Sequence, residues 1–167
     1  ERNNRGNSNY KNGFGDITTI AYYELLNKKT TLKNKLLINS LWIGGGLKLP
    51  TGKYNPIDKG NTTNNNLFQL GTGSLDFSVN TMYDLRYQDA GININANYKI
   101  NTANNHQYQY GDKFTLSGQI YYKFKIKNKF SVVPNIGILY EKAQQDLDNK
   151  IIVDISGGDL TMGSLGV

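Results

Sequence analysis

The side chains of this sequence that could do chemistry do not form a compact catalytic motif. The single histidine, His106, lies in a polar segment, where a solvated side chain is expected rather than a metal ligand or a general base. The absence of cysteine removes thiolate nucleophiles, thiolate metal sites and disulfides together. The run Gly44-Gly45-Gly46 lies within a strand pattern and no helix follows it, so it lacks the geometry of a phosphate-binding loop. We therefore expect no enzyme activity and no metal or cofactor.

The charged and amide side chains fall instead on one face of alternating segments. In the stretch from Gly71 to Thr102, apolar residues take odd positions up to Tyr87 and even positions from Ile92 onward, and polar residues take the others. Because side chains alternate between the two faces of a strand, this stretch is predicted as a hairpin with one apolar and one polar face. Both arms reach the length of roughly nine to eleven residues that a tilted strand needs to cross a bilayer.

The same alternation along the chain predicts an all-β protein, an antiparallel up-and-down transmembrane β-barrel with about seven visible strands. Twelve tyrosines and eighteen glycines suit strands and tight turns. Residues 1–167 are interpreted as a single barrel domain that is incomplete at both ends. The predicted strands cover residues 16–26, 36–49, 75–87, 92–101, 113–124 and 130–141, with a seventh beginning at 151–156. Residues 1–13, 51–66, 103–112 and 143–150 are predicted as loops, and residues 27–35, 88–90 and 125–129 as turns.

The polar face of such a barrel would line a lumen. Its predicted lining residues are Asp16, Trp42, Lys48, Asp76, Asn80, Asp84, Arg86, Asn97, Lys99, Gln119 and Glu141. With Glu24, Lys113 and Lys123 added, the charged residues of the whole polar face are five acids and five bases, which predicts weak charge selectivity because a selective pore carries rings of one sign. Strand pairing should bring Asp76 within reach of Lys48 and Lys99. That group is interpreted either as a packing cluster that ties strands together or as a polar constriction on a solute path.

Aromatic residues of the apolar face concentrate toward the strand ends, as expected for the two interfaces of a membrane. The predicted aromatic girdles are Tyr23, Tyr83, Tyr87, Tyr122, Phe124 and Phe130 toward the short turns, and Tyr98, Phe114 and Tyr140 toward the long loops. Pro134 falls within a predicted strand on this face, which indicates a local bulge or, alternatively, a kink that opens a lateral window.

Other classes of protein are less consistent with these patterns. No apolar run is long enough for a transmembrane helix, and the net charge of +6 is dispersed rather than gathered into a nucleic-acid-binding stripe. A soluble lipocalin-like binding barrel or a β-sandwich remains as an alternative, in which the apolar face would form an internal core. Residues 1–11 lack the apolar segment of an export signal.

Three runs carry a resemblance to a known family: Gly13-Phe14-Gly15-Asp16, then residues 44–54 with the sequence GGGLKLPTGKY, then residues 69–76 with the sequence QLGTGSLD. From residue 13 to about 142 the chain resembles the phenol meta-degradation family of outer-membrane β-barrels, which are grouped as transporters, in its Bacteroidota form. The chain departs from the family in ending without a terminal strand and closing aromatic residue. Because bacterial barrels have even strand numbers, the resemblance implies a larger barrel of roughly a dozen strands.

The function implied by this resemblance is passive passage of small solutes, including apolar or aromatic ones, through a channel in the bacterial outer membrane. The alternative is a structural barrel that anchors an envelope complex and conducts nothing. Expected partners are outer-membrane lipid, a small-molecule solute and other envelope proteins, without nucleic acid.

Overall fold

The alternating segments form long antiparallel strands in the computed structural model of the chain, which describes residues 12–32, 34–55, 69–126 and 130–167. The described residues contain strands and no helix, so none of them provides a helix that could cross a membrane. The strands are β1 (Ile17–Leu32), β2 (Lys35–Leu49), β3 (Asp76–Tyr87), β4 (Ala90–Ile100), β5 (Tyr108–Gln109), β6 (Lys113–Tyr122), β7 (Phe124–Ile126), β8 (Phe130–Val132), β9 (Asn135–Ala143), β10 (Leu147–Asp148), β11 (Ile151–Ile152) and β12 (Gly158–Gly166).

Seven of these strands form one sheet in the order β1-β2-β3-β4-β6-β9-β12, in which each strand pairs antiparallel with the next. Along the chain this order is an up-and-down meander, so the predicted all-β antiparallel fold is confirmed. Strands β5, β10 and β11 form a small separate sheet, and β7 pairs with β8. The described strands β1 and β12 form the two edges of the large sheet and do not pair with each other.

The two ends of the large sheet differ in the length of their connections. At one end, which we call the turn end, β1 is followed closely by β2 and β3 by β4, and the short pair β7-β8 lies between β6 and β9 in the chain. Residues 50–55, 69–75, 101–112 and 144–157 lie at the other, which we call the loop end. This alternation matches the predicted pattern of short turns and long loops, although residues 1–11, 33, 56–68 and 127–129 lie outside the described residues.

The predicted turn over residues 27–35 is wrong. Strand β1 continues to Leu32, and Asn27 to Leu32 pair with residues 35–40 of β2. A positive φ of 61° at Asn34 closes a tight turn. The register also shifts between Glu24 and Leu26, which marks a β-bulge at Leu25.

The predicted seventh strand also begins in the wrong place. Ile151 and Ile152 belong to the small sheet, where they pair with β10. The seventh strand of the large sheet is Gly158–Gly166, which pairs with β9 along its whole length. Its glycines carry no side-chain pattern, so backbone pairing rather than alternation defines this strand.

Pro134 interrupts one ladder without changing its register. Tyr121 pairs with Asn135 on one side of the break and Phe124 pairs with Val132 on the other, so no residue is inserted and the predicted bulge is wrong. The amide of Tyr122 donates to the carbonyl of Pro134 at 3.1 Å. Pairing resumes on both sides, which gives no support for a lateral window.

The two faces of the large sheet are exposed in the opposite sense to those of a soluble protein. On the apolar face Phe77 is 46% exposed, Val79 51% and Ile138 61%, whereas on the polar face Asp76 is 1% exposed and Asn80 7%. Among the described residues the one buried hydrophobic side chain is Tyr108. A lipocalin-like barrel or a sandwich would enclose its apolar face, so the structure favours an apolar outer face and a polar inner one.

Candidate functional site

A buried cluster of charged residues lies at the loop end of the polar face, and Asp76 is its most enclosed member. The Oδ2 atom of Asp76 lies 2.5 Å from the ammonium nitrogen of Lys48 and 3.6 Å from that of Lys99. Its Oδ1 atom accepts hydrogen bonds from the Ser74 hydroxyl at 2.8 Å and the Thr102 amide at 3.0 Å. Oδ2 makes ion pairs without a hydrogen bond of normal geometry. The carboxylate thus joins β2, β4 and the loop segments beside β3.

Asp16 holds the other side of the Lys48 ammonium group. Lys48 donates to Asp16 Oδ2 at 2.9 Å and also to the hydroxyl of Thr72. The backbone amide of Thr72 donates to the same carboxylate oxygen at 2.8 Å, and that of Gly52 donates to Oδ1 at 2.9 Å. Burial raises the pKa of the Asp16 carboxyl, but the hydrogen bonds from Thr72, Lys48 and Gly52 outweigh it, so the pKa lies below its ordinary value.

Two glycines allow the loops to approach Asp16. A Cβ atom on Gly52 would lie 2.7 Å from the Cα of Gly71 and 2.9 Å from Asp16 Oδ1, and one on Gly71 would contact the same carboxylate oxygen. No side chain fits at either position without displacing backbone. The three sequence runs that carry the family resemblance therefore converge at one carboxylate, although they are separated by up to 56 residues along the chain.

A second buried cluster organises the loop end and was missed by sequence reasoning. Asp146 accepts from the Tyr108 hydroxyl at 2.5 Å and from the Gly111 amide at 2.8 Å. Asn104 accepts from the Tyr108 amide at 3.1 Å and donates to the carbonyl of Thr72 at 3.0 Å. Burial and the neighbouring Asp146 carboxylate raise the pKa of the Tyr108 hydroxyl above its usual range. Contacts between distant loops leave no periodic signal, so no sequence pattern indicated them.

The predicted lumen-lining residues share the polar face but form separate groups. Lys48, Asp76 and Lys99 come together with Asp16, which precedes β1. Asn97 donates to Asn80 at 2.5 Å across β3 and β4. The remaining predicted residues are distributed along the same face: Trp42 opposite Glu24 and Met82, Asp84 opposite Ser40 and Asn93, Arg86 opposite Gly91, Gln119 opposite Asn93 and Gly137, and Glu141 opposite Thr115. That they line a lumen stays a prediction.

The predicted girdle residues lie on the apolar face. Tyr98 and Phe114 are register partners near the loop end, and Tyr122 pairs with Ala90 near the turn end. Tyr23 lies opposite Ile43 in the middle of its strand, because β1 continues to Leu32. The other predicted members are Tyr83 and Tyr87 in β3, Phe124 in β7, Phe130 in β8 and Tyr140 in β9.

Two cavities open on the polar face. One, of about 290 Å³, is lined by Thr18, Ile20, Lys48, Asp76, Phe77, Ser78, Asn97 and Lys99. The other, of about 270 Å³, lies across β4, β6, β9 and β12 and includes uncharged amides of Asn93, Asn95 and Gln119 in its lining. The described part of the chain has no cluster of side chains that could hold a metal ion. His106 lies beside Tyr54 with 5.5 Å between the ring centroids and the ring planes tilted by 41°.

Comparison with known proteins identifies the family. No curated protein and no solved structure matches the chain. A sequence model of one family matches residues 1–163, which is nearly the whole chain and confirms the resemblance carried by the three glycine-containing runs. The chain belongs to the family described as "Putative MetA-pathway of phenol degradation".

Proposed function

We propose that this protein is part of an outer-membrane β-barrel through which small solutes, including apolar and aromatic ones, pass passively along a polar lumen. The observation that carries the proposal is that the apolar face of the large sheet is more exposed than its polar face. Its apolar face is exposed, whereas its polar face is buried or half-buried along most of β2, β3 and β4, as in a barrel with lipid outside and water inside.

Strand dimensions support the placement in a membrane. The main strands run from nine residues in β9 to sixteen in β1, and about nine to eleven residues are needed to cross a bilayer at a tilt. The aromatic side chains of the apolar face suit the interfaces of the bilayer, where an apolar ring contacts lipid and a hydroxyl reaches water. The association of the family with phenol degradation supports aromatic solutes as the cargo.

The charges of the polar face support passage with weak charge selectivity. Lys113 pairs with Glu141 at 2.9 Å, and Lys48 lies between two carboxylates. Opposite charges therefore neutralise one another locally, and no ring of one sign is formed by the described residues.

Swelling of proteoliposomes that contain the full-length protein would test this proposal. L-serine and L-phenylalanine are both zwitterions that cross bare lipid slowly, so their swelling rates compare a polar and an aromatic solute of the same net charge. We expect both rates to exceed that of protein-free liposomes, with phenylalanine admitted in spite of its size. Rates equal to the protein-free control would contradict the proposal.

A non-conducting structural barrel is the second candidate, and the packed loop end favours it. The clusters around Asp16 and Asp146 tie three loop segments onto the sheet, which suits a barrel whose loops present a fixed surface to another envelope protein. In that case swelling would be absent while the protein remained folded.

A further inference from the structure

The polar face contains a lysine whose charge is less neutralised than that of its neighbours. Lys99 and Lys113 lie directly opposite each other in β4 and β6, an arrangement that is unfavourable for like charges unless each finds a partner. Lys113 is neutralised by Glu141 at 2.9 Å. Lys99 has a longer ion pair, 3.6 Å from Asp76 Oδ2, and that oxygen lies 2.5 Å from Lys48.

Lys99 is more exposed than Asp76, the carboxylate that it shares with Lys48. The side chain of Lys99 is 33% exposed, whereas that of Asp76 is 0% exposed and that of Lys48 is 9% exposed. A molecule entering from the polar face would therefore meet the ammonium group of Lys99 before the carboxylate behind it. Lys48 is also paired with Asp16 at 2.9 Å, so its charge is compensated on both sides, and Lys99 is the lysine of this cavity whose ammonium group stays accessible.

The same cavity has an apolar wall. Ile20 interrupts the polar side of β1 and packs over Gly46, where a Cβ atom would lie 3.2 Å from its Cγ1. Ile20 stays 43% exposed, and the cavity of about 290 Å³ is at the small end of the range for ligand sites. An ammonium group, an amide from Asn97 and an aliphatic surface thus border one small space.

We infer that this cavity binds a small organic monoanion, with its carboxylate on Lys99 and its apolar part against Ile20. The inference rests on the proposed function, because it takes the polar face to be reached from a water-filled lumen. It adds a site and a ligand class to that function: a single-ring or short-chain carboxylate held on its way through the barrel.

Ligand binding to the full-length protein in lipid nanodiscs would test this site, with empty nanodiscs as the reference for partition into lipid. Benzoate and benzamide share a ring and differ in charge, and acetate shares the carboxylate without the ring. Wild type should bind benzoate at least about tenfold more tightly than benzamide, as a charge-assisted hydrogen bond contributes enough free energy for such a ratio. Lys99→Gln should abolish this preference, and Lys99→Arg should retain it.

Two further variants keep the test informative if Lys99→Gln unfolds. Ile20→Asn should lower benzoate affinity severalfold and leave acetate binding unchanged, whereas Lys125→Gln, near the turn end, should alter neither. Equal binding of benzoate and benzamide to wild type, or a Lys125→Gln effect as large as that of Lys99→Gln, would overturn the site. If benzoate binds but the liposomes do not swell, the proposed channel is wrong and the binding site is supported. If the liposomes swell but benzoate does not bind, the binding site is wrong and the channel is supported.

Discussion

At the scale of single residues, the charged cluster of the loop end fixes how the loop segments sit on the strands and adds little net stability. Lys48 is 8% exposed and lies between Asp16 and Asp76, so its charge is compensated on both sides. Removing ions from water costs about as much as the attraction between them returns, so an intact buried pair adds little. Losing one member costs much more, because the remaining charge stays buried without a partner.

Replacing Asp76 by Asn should therefore destabilise the full-length protein by about 3–5 kcal/mol, since Lys48 and Lys99 both lose their shared carboxylate. Asp89→Asn is the matched control. Its carboxylate pairs with Lys125 at 3.0 Å where both side chains reach solvent, at 34% and 59% exposed, and such pairs contribute about 0–1 kcal/mol. Thermal or denaturant unfolding in the same detergent would measure both changes, and similar losses for the two variants would contradict the compensated cluster.

The pH dependence of stability should contain a contribution from Asp16. Its pKa is lower in the folded protein than its ordinary value of 3.8, so the folded state binds this proton less readily than the unfolded state. The stabilisation is complete above pH 3.8 and is lost as the pH falls through the lower folded pKa. Melting temperatures of wild type and Asp16→Asn should differ at neutral pH and converge in strong acid. A difference that is constant with pH would show that ionisation of the Asp16 carboxyl does not contribute to stability.

Gly71 should tolerate no side chain. Gly71→Ala places a Cβ atom against Asp16 and 2.7 Å from the Cα of Gly52, and such overpacking costs about 1–3 kcal/mol. Gly45→Ala is the control, because a Cβ atom there has nothing within 4 Å. Unfolding curves of the two variants would show whether the loss comes from crowding at Gly71 or from replacing a glycine as such. An unchanged midpoint for Gly71→Ala would contradict the close approach of Gly71 to Asp16 and Gly52.

At the scale of elements, alternation predicted the strands well wherever one face stays polar along the strand. It failed in β1, where the extra residue at Leu25 reverses the phase, so that even positions from Leu26 onward share the face of earlier odd positions. The basic residues that follow have the composition of a turn, but their backbone pairs with β2.

The cluster of Asp76 with Lys48 and Lys99 could be predicted from the strand register. Its link to Asp16 and the Asp146 cluster could not, since loop contacts have no period.

Pro134 tests how far one missing donor interrupts a strand pair. Because the Tyr122 amide donates to the Pro134 carbonyl, this is a hydrogen-bonded pair whose return bond to the Tyr122 carbonyl lacks a donor. Pro134→Val should restore that bond and stabilise the hairpin by roughly 0.5–1.5 kcal/mol. Amide exchange at residues 122–126 should slow in the variant. Unchanged exchange would show that something other than the proline separates β7 and β8 from the larger sheet.

At the scale of the whole molecule, the distribution of exposure distinguishes a membrane barrel from a soluble β-protein. Phe77, Ile94 and Ile138 are 40–61% exposed on one face of the sheet, while the buried positions of the other face, such as Asp76 and Asn80, carry carboxylates and amides. In water this arrangement would expose a broad apolar surface, and in lipid it covers that surface. Composition hides this difference, because alternation averages the two faces and gives a mean hydropathy of −0.54.

Neighbouring positions in the middle of β4 provide the sharpest test of this arrangement. Ile94 lies on the apolar face and Asn95 on the polar face, so one added charge can be directed to either side of the same strand. Ile94→Lys should cost roughly 2–4 kcal/mol in a lipid bilayer, the cost of lysine at the midplane of a barrel wall. Asn95→Lys should cost well under half as much, because its charge would reach a hydrated lumen. Folding measured in lipid vesicles would compare them, and a larger loss for Asn95→Lys would place water and lipid on the opposite faces from those proposed.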